Sequence, residues 1–277
     1  MQKQYPIKTN FEDLDIIIGG LFPGELMVIG SRPAIGKTSF LVTLIKKITF
    51  GSFYKGLLFS LELSSEFFRE RLASSFSGIP IVKIQATRMG IKTRPGLSLE
   101  ESKIYRKVLS EVYDLPLIID DTENKKIDDI CDSAREIFFR EKGIDIIYID
   151  YLGLISTNNY KASLTDVVAE IVTKLKQLAR ELNIPIVTTC QASRSAEPVP
   201  PRPSDLIGHS GIMIDNADVI ILLDRKRPKT DFYSYQDVTL YIAKNSFGET
   251  GEVKLEYNAA TLSYECYSSS IKNSLDI

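Results

Sequence analysis

One stretch constrains the fold more than any other: residues 26–48 run from an apolar segment through a glycine-bearing loop into a segment with helical spacing. Leu26–Gly30 (LMVIG) has the unbroken apolar character of a strand buried on both faces. In Thr38–Ile48, Phe40, Leu41, Leu44, Ile45 and Ile48 recur at three- and four-residue steps, as on one face of a helix. The loop between them, Ser31-Arg32-Pro33-Ala34-Ile35-Gly36-Lys37-Thr38 and on into Ser39, suits phosphate binding. Amides at a helix N-terminus attract anions, the lysine reaches the outer phosphates and the threonine hydroxyl takes Mg²⁺. ATP and Mg²⁺ are therefore the expected ligands. Ser31 stands where the strict pattern has its first glycine, with Gly30 one place earlier, and a small residue still permits the turn.

Further apolar runs at Leu57–Phe59, Leu115–Ile119, Ile144–Ile149, Ile184–Thr189 and Val219–Leu223 alternate with helical patterns, notably Leu164–Leu182. Such alternation predicts an α/β fold, a mostly parallel twisted sheet flanked by helices. From Val238 the pattern becomes that of paired strands, Val238–Lys244 and Glu252–Tyr257 around the Gly248/Gly251 turn, with a short run at Tyr264. These predict an antiparallel C-terminal extension. Residues 1–20 read as a lead-in or linker arm, with Asn10 as a helix N-cap and Gly19-Gly20 as its stop. Residues 21–267 form the expected domain, and 268–277 a frayed tail. The 277 residues are enough for one large core.

Composition excludes little. A net charge of −2 offers no global positive field, so any nucleic-acid contact must be local. Cys131, Cys190 and Cys266 lack metal-site spacing, and His209 is the sole histidine, which points to a reducing cytoplasm. No apolar run reaches the roughly 18 residues of a membrane helix, so no membrane partner is expected.

Two carboxylates suit a phosphate site. Asp150 ends the apolar run Ile146-Ile147-Tyr148-Ile149, where an ionised group is costly without a partner, and is the expected metal ligand with Thr38. Glu62 follows the Leu57–Phe59 strand, expected to neighbour the phosphate-loop strand, and is either a general base or a helix-dipole acid.

At this point several blocks, in order, resemble the RecA-like C-terminal ATPase domain of DnaB-type hexameric replicative DNA helicases. They are Arg32–Thr38, Phe59-Ser60-Leu61-Glu62, Ile149-Asp150-Tyr151-Leu152, and Leu178–Leu182 before Ile184-Pro185-Ile186. Gln191 with Arg194-Ser195, Arg202–Leu206, Asn216–Ile220, and Lys244 with Gly248 complete the set. The resemblance implies a RecA-like P-loop fold in which Glu62 polarises water and Gln191 senses the γ-phosphate. Lys244 would reach a neighbouring subunit's nucleotide, and Arg225 and Tyr257 would sandwich adenine. For these residues the plain alternatives are a polar strand end, a solvated lysine and an aromatic on a half-buried strand. A hexameric ring, single-stranded DNA and primase or helicase-loader contacts are implied partners.

The sequence departs from that pattern in three places. Ser246 stands where the family places an arginine finger, whose loss typically costs about 10³ to 10⁵ in rate, or roughly 4 to 7 kcal/mol. Arg225 or Arg227 could substitute. The DNA-facing loop reads Ile207-Gly208-His209-Ser210-Gly211 instead of carrying an Arg-Glu pair, leaving Arg194, Gly208, His209, Ser210 and Gly211 as candidate DNA contacts. The family's helical N-terminal domain has no counterpart, as in a cut-down form or a short paralogue. The cluster Arg225-Lys226-Arg227-Pro228-Lys229 is either a phosphate-binding stripe or a solvated loop. The expected activity is an ATP-driven motor on single-stranded DNA, against an ATP-binding switch or a recombinase-type ATPase.

Overall fold

The structure is a computed structural model that describes residues 5–50, 52–159, 161–192, 200–206, 211–225 and 235–267. Its strands are β1 (Leu26–Ser31), β2 (Gly56–Ser60), β3 (Leu117–Asp120), β4 (Ile146–Asp150), β5 (Ile186–Gln191), β6 (Val219–Arg225), β7 (Tyr235–Asn245), β8 (Gly251–Asn258) and β9 (Ser263–Cys266). Among the described residues they form one sheet in the order β3-β2-β4-β5-β1-β6-β7-β8-β9. The pairings from β3 to β6 are parallel, and those from β6 to β9 are antiparallel. The parallel sheet with an antiparallel extension thus matches the sequence expectation.

The helices are α1 (Glu12–Ile18), α2 (Lys37–Thr49), α3 (Ser65–Ser77), α4 (Ile81–Arg88), α5 (Leu99–Tyr113), α6 (Ile127–Arg140), α7 (Leu164–Leu182) and α8 (Gly211–Asn216). The strand pleat explains the two cores. On β1, Met27 and Ile29 face one core with Phe40 of α2 and Phe68 of α3, whereas Leu26 and Val28 face the other with Val172 and Leu175 of α7. Strands with helices on both faces must be apolar throughout, which is why their runs are unbroken. In β7 the buried residues Gln236, Val238, Leu240 and Ile242 fall on alternate positions, as befits strands with a single covered face.

The first described residues pack into the core. Ile7, Phe11, Leu14 and Ile18 are all buried, and the Phe11 ring stacks on Phe40 at 5.4 Å. Asn10 is not the cap of α1, contrary to expectation: Phe11 occupies that position, and Asn10 adopts φ +60°. The Asp15 carboxylate accepts from the Thr9 and Asn10 amides instead, so the helix start is held from inside its own first turn. Gly19 ends α1 in the left-handed region, as the sequence indicates. Among the described residues no helix is long and apolar enough to cross a membrane.

Candidate active site

The strand order brings the carboxyl ends of β2, β4, β5 and β1 side by side, where ligands of open α/β sheets bind. Glu62 follows β2, Asp150 ends β4, Gln191 ends β5, and the 31–38 loop follows β1. The expectation that the Glu62 strand neighbours β1 is incorrect, because β4 and β5 lie between them. Glu62 reaches the site nonetheless, since β2 pairs with β4 and Leu61 donates its amide to Asp150 O at 2.8 Å.

A cavity of about 390 Å³ opens at these strand ends, lined in part by Gly36, Lys37, Thr38, Glu62, Gln191 and Arg225. Pro33, Ala34, Ser39 and Tyr257 also contribute to its wall. Ser31, Arg32 and Ile35 belong to the loop but not to that wall. Ser31 is buried and donates to Arg32 O at 2.8 Å, while the Arg32 guanidinium lies 3.5 Å from the Asp224 carboxylate. Ser31 therefore serves as the last strand residue, where no glycine is needed.

Glycine is needed at position 36. Its φ of +117° lies outside what L side chains adopt readily, and a Cβ there would come 2.5 Å from the Tyr264 hydroxyl. The first hydrogen bond of α2 runs from Phe40 N to Gly36 O at 2.9 Å. The amides of Lys37, Thr38 and Ser39 therefore have no partner within the helix and form the usual positive pole.

Charge in the cavity is held under strain by burial. Asp150 is 1% exposed, and burial pushes its carboxyl pKa up against the opposing pull of the Thr189 and Thr38 hydroxyls, Lys37 and Arg71. Thr189 Oγ1 donates to Asp150 Oδ1, whereas Asp150 Oδ2 has no hydrogen-bond partner among the described residues. Burial also raises the Glu62 pKa, with the Asp150 charge adding to it, and lowers that of Lys37 despite Asp150, Cys190 and Glu62. Each of these groups would be stabilised by further charge or hydrogen bonding of the right sign.

Sequence reasoning missed three residues of the cavity wall, Arg71, Tyr151 and Leu262. Arg71 comes from α3, whose N-terminus is set by the Ser64 side chain accepting from Phe67 N and by Asp121 accepting from Ser65 N. Burial lowers the Arg71 pKa, opposed by Asp150, Tyr257 and Glu62. Its one signal was an arginine close in sequence to Phe68, Leu72 and Ala73, which face the core. Tyr151 simply follows Asp150.

Arg225 and Tyr257 do come together, but in direct contact. The guanidinium carbon lies 4.1 Å from the tyrosine ring centroid, and Nη2 donates to Ala34 O at 3.0 Å. An aromatic base between them would have to part the pair, whereas one outside it could stack on Arg225 alone. Lys244 does not line this cavity. A bulge at Ala243 interrupts the β6–β7 register, and the Lys244 ammonium donates to Ile214 O at 2.6 Å and Asp215 O at 3.2 Å at the end of α8. Ser246 is exposed, with its amide bonded to Asp218 O. Arg194, Gly208, His209, Ser210 and Arg227 lie outside the described residues, and Gly211 begins α8.

The family described as the DnaB-like helicase C terminal domain matches residues 6–266. The replicative DNA helicase DnaB of Treponema pallidum is 37% identical over 262 residues, covering 95% of this chain and 56% of that protein. The DnaB of Haemophilus influenzae is 31% identical over 260 residues, covering 91% of the chain and 53% of its own length. The chain thus spans about half the length of these relatives. Among solved structures, a DnaB-like replicative helicase studied with primase superposes with a TM-score of 0.83 at 25% identity, covering 95% of this chain and 63% of that one. A second solved structure, described as an ATPase domain, gives the same score and identity, with 95% of this chain and 91% of that one covered. With this match over nearly its whole length, the chain belongs to the DnaB-like helicase C-terminal domain family.

Proposed function

We propose that this chain is the ATP-hydrolysing motor of a ring helicase that moves along single-stranded DNA. The observation that carries the reading is the convergence of Lys37, Thr38, Glu62, Arg71 and Gln191 on one cavity, with Asp150 beneath it.

The donor set fits a magnesium nucleotide. Asp150 Oδ2 is buried without a protein partner among the described residues, and the Thr38 hydroxyl acts on the same carboxylate. Two hard oxygens with room for phosphate and water oxygens are what Mg²⁺ takes. Thr38 and Asp150 would hold the metal, which supplies neutralisation of phosphate charge. The free amides at the start of α2 and the Lys37 ammonium bind and orient the β and γ groups. Glu62 accepts the proton of the attacking water and aligns it with the γ-phosphorus; its raised pKa strengthens it as a base. Arg71 faces the same space and offers charge to the γ-phosphate from within the chain, partly offsetting the missing arginine at Ser246. Gln191 touches the cavity from the end of β5, where its side-chain amide can sense the γ-phosphate.

In the ring reading Lys244, which does not line its own cavity, leaves the Ile214 and Asp215 carbonyls to serve the neighbouring site. The longer DnaB relatives are named as replicative helicases, and one solved relative was studied with primase; a replisome role in the cytoplasm with primase or loader contacts follows by analogy. The Ser246 position favours one alternative, an ATP-binding switch that turns over slowly. The two are separated by fork unwinding with ATP, using Lys37→Ala as the control. Unwinding by the wild type alone supports the motor. DNA that neither binds nor is unwound, with nucleotide still bound, replaces it with the switch.

A further inference from the structure

We propose that Tyr264 is a positioning residue for the phosphate loop: its hydroxyl holds the Ile35 and Gly36 carbonyls and so aims the Gly36 and Lys37 amides into the cavity. The proposal rests on the nucleotide reading above. Tyr264 sits on β9, 1% exposed, at the far end of the antiparallel extension. Its Oη lies 3.2 Å from Ile35 O and 3.2 Å from Gly36 O. The preceding carbonyl, Ala34 O, is held by Arg225 Nη2 at 3.0 Å. Three successive loop carbonyls are thus engaged by β6 and β9.

In a trans peptide the C=O and N–H point in opposite directions. Holding Ile35 O and Gly36 O on the tyrosine side therefore turns the next two amides, those of Gly36 and Lys37, the other way. Gly36 and Lys37 are residues of the cavity wall. The loop needs such a hold, because Ala34 at φ +59° is a sparsely populated conformation for a non-glycine residue, which persists only when its surroundings fix it, and Gly36 brings no side chain to restrain its own backbone.

The phenol is fixed in turn. Its backbone amide donates to Thr43 Oγ1 at 3.1 Å, on the helix whose N-terminus it serves. Its ring meets Phe40 edge-on at 5.4 Å and Tyr257 at 4.9 Å. A phenylalanine would fill this space equally well, so packing alone does not call for the hydroxyl. The β9 strand, remote in sequence from residues 31–38, would then be part of the phosphate-binding apparatus.

The test is Tyr264→Phe, with Thr49→Val, a buried threonine of the same helix whose hydroxyl donates to Ile45 O, as a packing control. Affinities for Mg·ADP and for Mg·pyrophosphate are measured by displacement of a fluorescent ADP analogue, beside the urea midpoint without ligand. Losing hydrogen bonds of this kind predicts that Tyr264→Phe weakens both ligands by the same factor, about 3- to 10-fold, because the amides serve phosphate and not base. Thr49→Val should bind both as the wild type does. Unchanged affinities in Tyr264→Phe would overturn the proposal. So would a loss for ADP without one for pyrophosphate, which would assign the residue to the base through Tyr257. A wild type that binds neither ligand, like Lys37→Ala, would instead sink the nucleotide reading itself.

Discussion

Gly36→Ala is predicted to cost more in this protein than its backbone conformation alone requires, and to cost less once the Tyr264 hydroxyl is gone. The φ of +117° imposes strain on alanine of about 1–3 kcal/mol. The new Cβ would also stand 2.5 Å from the Tyr264 hydroxyl, deep inside van der Waals contact, so the phenol must move and give up its bonds to Ile35 O and Gly36 O. The phenol has one hydrogen, shared between the two carbonyls, so its loss adds about 0.5–1.5 kcal/mol and the total is about 1.5–4.5 kcal/mol. Tyr264→Phe removes the obstructing atom and leaves the ring carbon at 3.5 Å, an ordinary contact. In that background only the strain should remain. Urea unfolding of the wild type, both single variants and the double variant gives the coupling directly, and about 0.5–1.5 kcal/mol is expected. Strict additivity of the two substitutions would refute the geometry on which this reasoning stands.

Three further outcomes follow from the same structure. Glu25 is buried near Asp218 and Lys176, and its carboxyl pKa is raised to about 7, chiefly by burial, against 4.5 unfolded. The folded state then holds the proton longer than the unfolded one, so stability is lost as pH rises from about 4.5 to 7. Glu25→Gln, which keeps an acceptor for Phe22 N, should remove up to about 3 kcal/mol of that loss in urea titrations at pH 5 and 8; parallel pH profiles would count against it. Asp150→Asn removes a charge that burial disfavours, so the ligand-free protein should melt higher while Mg²⁺ ceases to tighten ADP binding; a lower melting point would contradict the burial argument. Ser246→Arg should speed hydrolysis at concentrations where subunits associate and not at high dilution. Equal rates at both would argue against an interfacial role for that position.

Much of this was legible in the sequence because the governing signals are local. The strands β1, β2, β4, β5 and β6 are buried on both faces over most of their length and could be read as apolar runs, and the helix α7 showed its period over Leu164–Leu182 without error at either end. The phosphate loop carried its chemistry in consecutive residues. What could not be read was set by strand order and by long-range packing. Glu62 lies across β4 and β5 from the loop it serves, a distance no local pattern encodes. Arg71 looked like one polar residue on a core-facing helix, and Tyr264 like one more aromatic on a short strand. Lys244 was expected to point outward, but the bulge at Ala243 accompanies a turn of its ammonium onto the end of α8. Asn10 resembled a cap because cap and left-handed positions favour the same side chain.

The central claim is that this cavity hydrolyses ATP with Glu62 as the base, at a rate coupled to DNA. It is tested most directly by phosphate release from the wild type and Glu62→Gln, each with and without single-stranded DNA, alongside the dissociation constant for ATP. The account predicts DNA-stimulated release by the wild type, and release at least about 10²-fold slower in Glu62→Gln with ATP bound about as tightly. Comparable turnover in the two proteins, or wild-type turnover indifferent to DNA, would contradict it.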